Sequence, residues 1–422
     1  MVSTALTNWA GNHTYRAARL HEPDSLGRLQ EIVRTSEVVK VLGSRHSFND
    51  IADTAGDQVS LARMPRVIDI DRGRRTVTID GALRYGDLCG VLESAGFALH
   101  NLASLPHISV AGACATATHG SGDRSGNLAT AVSGLEVVGA DGEIREFVRG
   151  DRGSFEGIVV GLGAIGVVTR LTLDLEPTYQ VRQDIYERLP LADAAENFDA
   201  ITSSADSVSL FTSWRAQTVD QVWLKRRVTP GDAFEPPSAL FGARLTTTRR
   251  HPIPDITADA VTEQLGLPGP WHERIPHFRM DQTPSSGDEL QSEYLVPRQE
   301  AVDALLALDR FADRIAPLVQ ITELRTIAGD DLWMSTAFGR DSVAIHFTWK
   351  PDWPAVRAVL PAIEAALRPF EPRPHWGKLF TMTSDELRSR YAKLPDFAAL
   401  VARLDPGRKF RNAYLDLLLT GA

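Results

Sequence analysis

Two runs of very small residues, Gly43-Ser44-Arg45-His46-Ser47-Phe48-Asn49 and Ser109-Val110-Ala111-Gly112-Ala113-Cys114-Ala115-Thr116-Ala117-Thr118-His119-Gly120-Ser121-Gly122, limit what this chain can fold into more than any other feature. Between Ser109 and Gly122 only His119 has a side chain larger than valine. Such a segment is a poor recipe for a packed core, which fills space with side-chain volume. It is a good one for a wall whose backbone N–H groups approach a bulky anionic ligand. Each run also holds a histidine, His46 and His119, and the two runs read as facing walls of one cleft.

Local patterning places these walls. Asp24 or Ser25 caps a helix on which Leu26, Leu29, Ile32 and Val33 recur at helical spacing, and Val38, Val39, Val41 and Leu42 then form a short apolar strand. The Gly43 loop therefore leaves a strand end, where ligand loops commonly sit. Val67–Asp71 and Thr76–Asp80 alternate with period two around Arg72-Gly73-Arg74, a hairpin signal, and Tyr85 to Leu99 carries helical spacing. A second hairpin joins Leu135–Val138 to Ile144–Phe147 through Asp141-Gly142. This tight α+β alternation ends near Glu176-Pro177, after which Pro252, Pro254, Pro268, Pro270 and Pro276 mark long loops. Gly161-Leu162-Gly163-Ala164-Ile165-Gly166 matches a dinucleotide fingerprint, with Ile158-Val159-Val160 as a candidate strand before it. The β-branched, alternating stretch Val167 to Leu175 follows where that fingerprint demands a helix, so a glycine-rich turn ahead of a strand is expected instead.

Composition removes several function classes. A chain of 422 residues with 43% hydrophobic side chains is long for one core and suggests two or three structural units. A net charge of −9 argues against nucleic acid, which needs a basic face. Cys89 and Cys114 alone can build neither a disulfide framework nor a zinc site; Cys89 is expected to pack in a helix, and Cys114 to line the small-residue wall. Met1 to Thr14 lacks a basic start and an apolar core, and no run approaches the roughly 18 apolar residues of a membrane span. A soluble cytoplasmic protein with no membrane or nucleic-acid partner is expected. Trp271-His272-Glu273 and His277 suggest a metal, but Pro276 interrupts the helix that such spacing would need, so a surface loop and no metal are expected.

Chemistry-bearing residues recur two apart. Glu323 and Arg325, within Ile321–Ile327, point to one face of a strand, and His346 and Thr348 repeat the arrangement in Ala344–Trp349. A solvated strand face with a surface salt bridge accounts for these pairs. So does a recognition site, because burying a carboxylate beside a guanidinium costs several kcal/mol unless hydrogen bonds repay it, on the order of the desolvation penalty.

Several blocks spread from near the first residue to near the last carry a family likeness. They are Thr7–Asn12, Gly43–Asn49, Ala103–Gly112, Thr116–Ser121, Gln291–Leu295, His346–Trp349, Pro374-His375-Trp376-Gly377-Lys378 and Asp405-Pro406. In these blocks the chain resembles the vanillyl-alcohol-oxidase type of FAD-binding oxidoreductase, and within it the bacterial alditol oxidases. The resemblance implies an α+β, two-domain flavoprotein: an FAD-binding domain over 1–177, a substrate (cap) domain with an antiparallel sheet over 178–373, and a return to the FAD-binding domain over 374–422. It implies FAD covalently bound through His46 and surrounded by Gly43, Ser44, Arg45, Ser47, Ser104, Ser109, Gly112, Thr116, Ala117, Thr118, His119, Val168 and His375. Ser104, Glu323, Arg325, Thr348 and Lys378 fall where alditol oxidases hold the polyol, and Lys378, Arg325, Glu323 and His346 form the catalytic set, Lys378 or His346 taking the hydroxyl proton. His107 and His119 are expected to hold loops through backbone hydrogen bonds.

The activity implied is oxidation of the terminal hydroxyl of a polyol such as xylitol or sorbitol to the aldose, with dioxygen reduced to hydrogen peroxide by a monomer. An aldonolactone oxidase or dehydrogenase of the same family is the alternative. A nicotinamide enzyme built on Gly161–Gly166 and a non-catalytic flavin-binding protein are more remote rivals. Two departures stand out: the family usually has glycine where this chain has Arg45 and Ala117. If either position takes positive φ, the side chain costs about 1 kcal/mol.

Overall fold

Strict alternation builds the first sheet. In the computed structural model, which describes residues 6–151, 155–229, 231, 233–282, 285 and 288–420, both expected hairpins form and join into one antiparallel sheet. Its strand order is Ile68–Asp71, Thr76–Asp80, Val167–Asp174, Val132–Val138, Ile144–Val148. Val77 and Ile79 of the first hairpin and Leu171 and Leu173 of the central strand are buried, because period two turns them all to one face. The Leu26–Thr35 helix buries Leu29, Ile32 and Val33, and its N-cap Ser25 makes no side-chain cap bond. The Tyr85–Ala95 helix stops short of Leu99, because Gly96 takes the left-handed conformation at φ 83°.

Two small corrections, and one expectation met, come from the glycine-rich stretches. The Ser109–Gly122 run is not all loop: Val110–Ala115 is a helix with Ser109 at its N-cap, since alanine-rich sequence has high helical propensity. Ile158-Val159-Val160 is no strand, its first two residues closing the Phe155–Val159 helix. The Gly161–Gly166 turn, with positive φ at Leu162, Gly163 and Gly166, then feeds the Val167–Asp174 strand, which is why no dinucleotide-type helix starts there. The short strand after the first helix, Val39–Val41, pairs in parallel with Asp57–Val59, itself parallel to Arg19–His21.

A ten-stranded sheet supplies the second layer of the molecule. Its middle runs Gln180–Pro190, Thr218–Val228, Ser207–Thr212, Val319–Ile327, Ser342–Trp349, Leu290–Pro297, all antiparallel. The last three are buried along their whole length apart from Gln320. One face, with Tyr294, Leu324, Ile345, Phe347 and Trp349, shares the main core with Leu305, Leu308, Leu360 and Ile363 from the Ala301–Asp309 and Trp353–Leu367 helices. Phe347 and Trp349 stack at 4.9 Å on that face. Truncating such an aromatic costs about 3–5 kcal/mol, so this core fixes the sheet whose other face carries charge. The tail packs back on the first residues: the Val39 N–H donates to the Lys409 carbonyl at 2.8 Å, and Asn412 donates to the carbonyls of Asp50, Ile51 and Asp53.

Candidate active site

The register of three strands decides the chemistry. Glu323 lies opposite His346 on one side, and Glu293 lies opposite the same His346 on the other. Side chains alternate across a strand, so Glu293, Glu323, Arg325, His346 and Thr348 all turn to the face away from the aromatic core. Lys378 arrives from the turn after Arg373–Pro374, anchored because Asn49 donates to the carbonyls of Trp376 and Lys378.

Glu293 is the hub. Lys378 Nζ donates to its Oε2 at 2.5 Å and Arg325 Nη2 to its Oε1 at 3.2 Å, while His119 Nε2 lies 3.2 Å from Oε1. Burial alone would raise this carboxyl; the Lys378 charge, with His119, overrides it and holds Glu293 well below the usual range. Lys378 also donates to His346 Nδ1 at 2.7 Å, and His346 Nε2 bonds Thr348 Oγ1 at 3.1 Å. Burial, reinforced by Lys378, pushes His346 down to about 4, so its ring is neutral at physiological pH. Burial also lowers Lys378, with Glu293 opposing. Arg325 Nη1 reaches Ser104 Oγ at 3.2 Å, and Arg325 Nε lies 3.5 Å from Glu323 Oε1.

A second buried group continues the array. His277 Nε2 lies 2.8 Å from Glu323 Oε1, and its Nδ1 lies 3.0 Å from Lys225 Nζ. Burial works against ionised Glu323, but Arg325 and His277 hold it far below the usual carboxylate range. The expected surface loop at His277 is therefore corrected: His277 is 5% exposed, because its backbone is tied to the Ser104 carbonyl and its ring is boxed by Phe211, Trp223 and Phe278.

The opposite wall uses backbone instead of charge. Gly43, Ser44, Arg45, His46 and Ser47 leave the Val39–Val41 strand without a protein acceptor for any of their backbone N–H groups, among the described residues. A Cβ on Gly43 would come within 2.9 Å of Ser109 Oγ, and one on Gly112 within 2.7 Å, so glycine lets these segments close around Ser109. The Ser109 N–H donates to Ser44 Oγ at 3.0 Å, locking the two runs together. His46 stacks on Trp9 at 5.6 Å, neither ring nitrogen has a hydrogen-bond partner, and burial, followed by His107, lowers its pKa to about 4. Arg45 and Ala117 do take positive φ, 63° and 52°. Arg45 offsets part of that strain by donating from Nη1 to the Thr7 carbonyl at 3.1 Å.

One cleft of about 280 Å3 collects these walls. Gly43, Ser44, Arg45, His46, Ser47, Ser104, Ser109, Gly112, Thr116, Thr118, His119, Val168 and His375 line it together with Glu323, Arg325, His346, Thr348 and Lys378. Ala117 does not: its side chain is fully buried in the core and its N–H is spent on the Cys114 carbonyl, so it shapes the turn without facing the cleft. His119 holds a loop through Nδ1 to the Gly120 carbonyl, and its other nitrogen faces Glu293. His107 bonds the Met280 carbonyl, and His375 bonds Thr118 Oγ1 at 3.3 Å while accepting the Gly377 N–H. Sequence reasoning missed Glu293, His277 and Lys225 as site residues. Glu293 carried a signal, a lone acid in the Leu290–Pro297 strand, but its partners come from distant segments.

Comparison with known proteins is consistent with this geometry. The FAD binding domain family matches residues 17–147, and the D-arabinono-1,4-lactone oxidase family matches 285–418. The chain is 49% identical to an alditol oxidase of Streptomyces sp., over 100% of both chains. It is 29% identical to an L-gulono-1,4-lactone dehydrogenase of Mycobacterium tuberculosis, over 98% of each. Its fold matches a cholesterol oxidase from B. sterolicum with a TM-score of 0.79 at 14% identity, covering 98% of this chain and 96% of that one. The residues fit FAD: five free N–H groups and a close-set glycine pair suit a pyrophosphate, and the orphaned His46 nitrogens lie where a partner is lacking.

Proposed function

The chain belongs to the family of FAD-dependent alditol oxidases, and on that premise we propose that it oxidises the terminal hydroxyl of a polyol such as xylitol or sorbitol to the aldose. One observation carries the reading: Glu323, Arg325, Lys378 and the neutral His346, joined through Glu293, form a continuous buried polar network on the cleft that His46 borders. Bound FAD, linked through His46, supplies the hydride acceptor, and its reoxidation by dioxygen gives hydrogen peroxide.

The chain's own groups do the rest. Glu323 and Arg325 bind polyol hydroxyls, an acceptor beside a forked donor that suits vicinal diols. Ser104, oriented by Arg325, and Thr348, oriented by His346, place the reacting carbon. Lys378 and His346 share a 2.7 Å hydrogen bond and take up the hydroxyl proton as one coupled unit. Arg325 and the Lys378 ammonium face the negative charge that develops on the substrate oxygen, in a site where burial strengthens their effect. The neutral, lowered His46 ring keeps a nitrogen lone pair free for a bond to the cofactor. We read the protein as a monomer of the cytoplasm, where its two free cysteines, Cys89 and Cys114, stay reduced.

The aldonolactone reading has the lower-identity relatives behind it. Following peroxide after addition of xylitol, sorbitol or an aldono-1,4-lactone separates the two. Peroxide from the polyols is expected; peroxide from the lactone alone would overturn the proposal.

A further inference from the structure

Lys225 is 2% exposed and lies outside the set that meets the substrate in the mechanism above. Its strand, Thr218–Val228, pairs with Ser207–Thr212, which pairs in turn with the strand bearing Glu323. Burying an ammonium with no carboxylate in ion-pair contact is costly, so every hydrogen bond it makes matters. Its Nζ meets the Ile275 carbonyl at 2.5 Å, the Pro276 carbonyl at 3.1 Å and His277 Nδ1 at 3.0 Å. Burial lowers Lys225 to about 7, with Glu323 opposing, and in its ammonium form the three N–H bonds are all taken by these three acceptors. With Nδ1 accepting, the one proton of neutral His277 sits on Nε2, 2.8 Å from Glu323 Oε1. Arg325 Nε approaches the same oxygen. Among the described residues no protein donor reaches Glu323 Oε2, which leaves that oxygen for a substrate hydroxyl.

We propose that Lys225 and His277 are positioning residues: Lys225 fixes the tautomer of His277, and His277 pins Oε1 of Glu323 so that Oε2 is aimed at a polyol hydroxyl. This rests on, and deepens, the reading of Glu323 as a polyol ligand. The ring's neighbours suit the task, since Phe211 and Trp223 stand edge-on at 5.7 and 5.2 Å and leave the imidazole little freedom to turn. Burial, followed by the Lys225 charge, lowers His277 to about 4, in keeping with a neutral ring that donates from one nitrogen only.

The test compares His277→Phe, His277→Gln and Glu323→Gln, each as flavin-loaded holoenzyme with xylitol as substrate. Losing a hydrogen bond to a charged group should raise KM about tenfold or more in His277→Phe, with kcat falling less than about threefold. His277→Gln, which keeps an N–H donor, should recover most of that loss. The double variant His277→Phe/Glu323→Gln should be no worse than Glu323→Gln alone. Equal effects of Phe and Gln at 277 would overturn the proposal while leaving Glu323 as a ligand. An unchanged KM in Glu323→Gln would overturn the ligand reading itself, and the proposal with it. Should the Phe variant fail to load flavin, neutron diffraction of the wild-type holoenzyme decides: deuterium on Nε2 and none on Nδ1 of His277 supports the proposal, and the reverse refutes it.

Discussion

The two walls of the cleft solve the same problem by opposite means. The wall built from Gly43–Ser47 and Ser109–Gly112 presents free backbone N–H groups, small side chains and a neutral imidazole at His46. The wall built from three antiparallel strands presents Glu293, Glu323, Arg325 and Lys378, ionic groups that tolerate burial only because they hold one another. Backbone donors keep their shape whichever side chain is lost, whereas an ion network fails when one member leaves. The first wall is therefore suited to a permanently held cofactor, and the second to a substrate that must be gripped and released.

The comparison breaks first at its most crowded point. Glu293→Gln leaves Lys378 and Arg325 without their shared carboxylate and should cost about 3–5 kcal/mol of stability, read as a lower urea midpoint. A change within error would mean that the network carries no structural weight. Lys378→Met should lower turnover by about two to four orders of magnitude while flavin content stays normal. Retained turnover would remove Lys378 from the proton-accepting pair.

Acid should also find the charged wall. His277 and His346 are held to about 4, below their ordinary 6.5, so between those values the unfolded chain binds more protons than the folded one. Stability therefore falls as pH drops from about 6.5 toward about 4, and urea midpoints taken at about pH 7 and about pH 5 should show it. The effects on the backbone wall are smaller. His46→Ala should fold and bind FAD but release it on acid precipitation, so colour left in the pellet would refute the linkage. Arg45→Gly should relieve the positive φ and shift stability by less than about 1 kcal/mol in the favourable direction, less whatever the lost Thr7 contact contributed. Calorimetry of the two proteins measures the balance.

Much of this was legible from residues. The period-two hairpins, the small-residue runs and the i, i+2 pairs Glu323/Arg325 and His346/Thr348 are local patterns, and local patterns survive folding. The failed dinucleotide fingerprint at Gly161–Gly166 was readable for the same reason, from the β-branched residues behind it. What stayed hidden depends on register and loop packing. Glu293 becomes the hub only because its strand lies beside His346, and a proline-bounded loop gives no sign that His277 turns inward to Glu323. The family likeness counts Ala117 among the residues around FAD, yet at its positive φ the side chain lies in the core.

The central claim is that the carbinol carbon of a polyol, its hydroxyl held by Glu323, Arg325, His346 and Lys378, gives its hydride to FAD tethered on the opposite wall while the hydroxyl proton passes to the Lys378–His346 pair. Mixing the purified holoenzyme with xylitol in the absence of oxygen and recording its visible spectrum tests this most directly. The flavin absorbance should bleach in wild type and persist in Lys378→Met. A wild-type spectrum untouched by polyols but bleached by an aldonolactone would contradict the account.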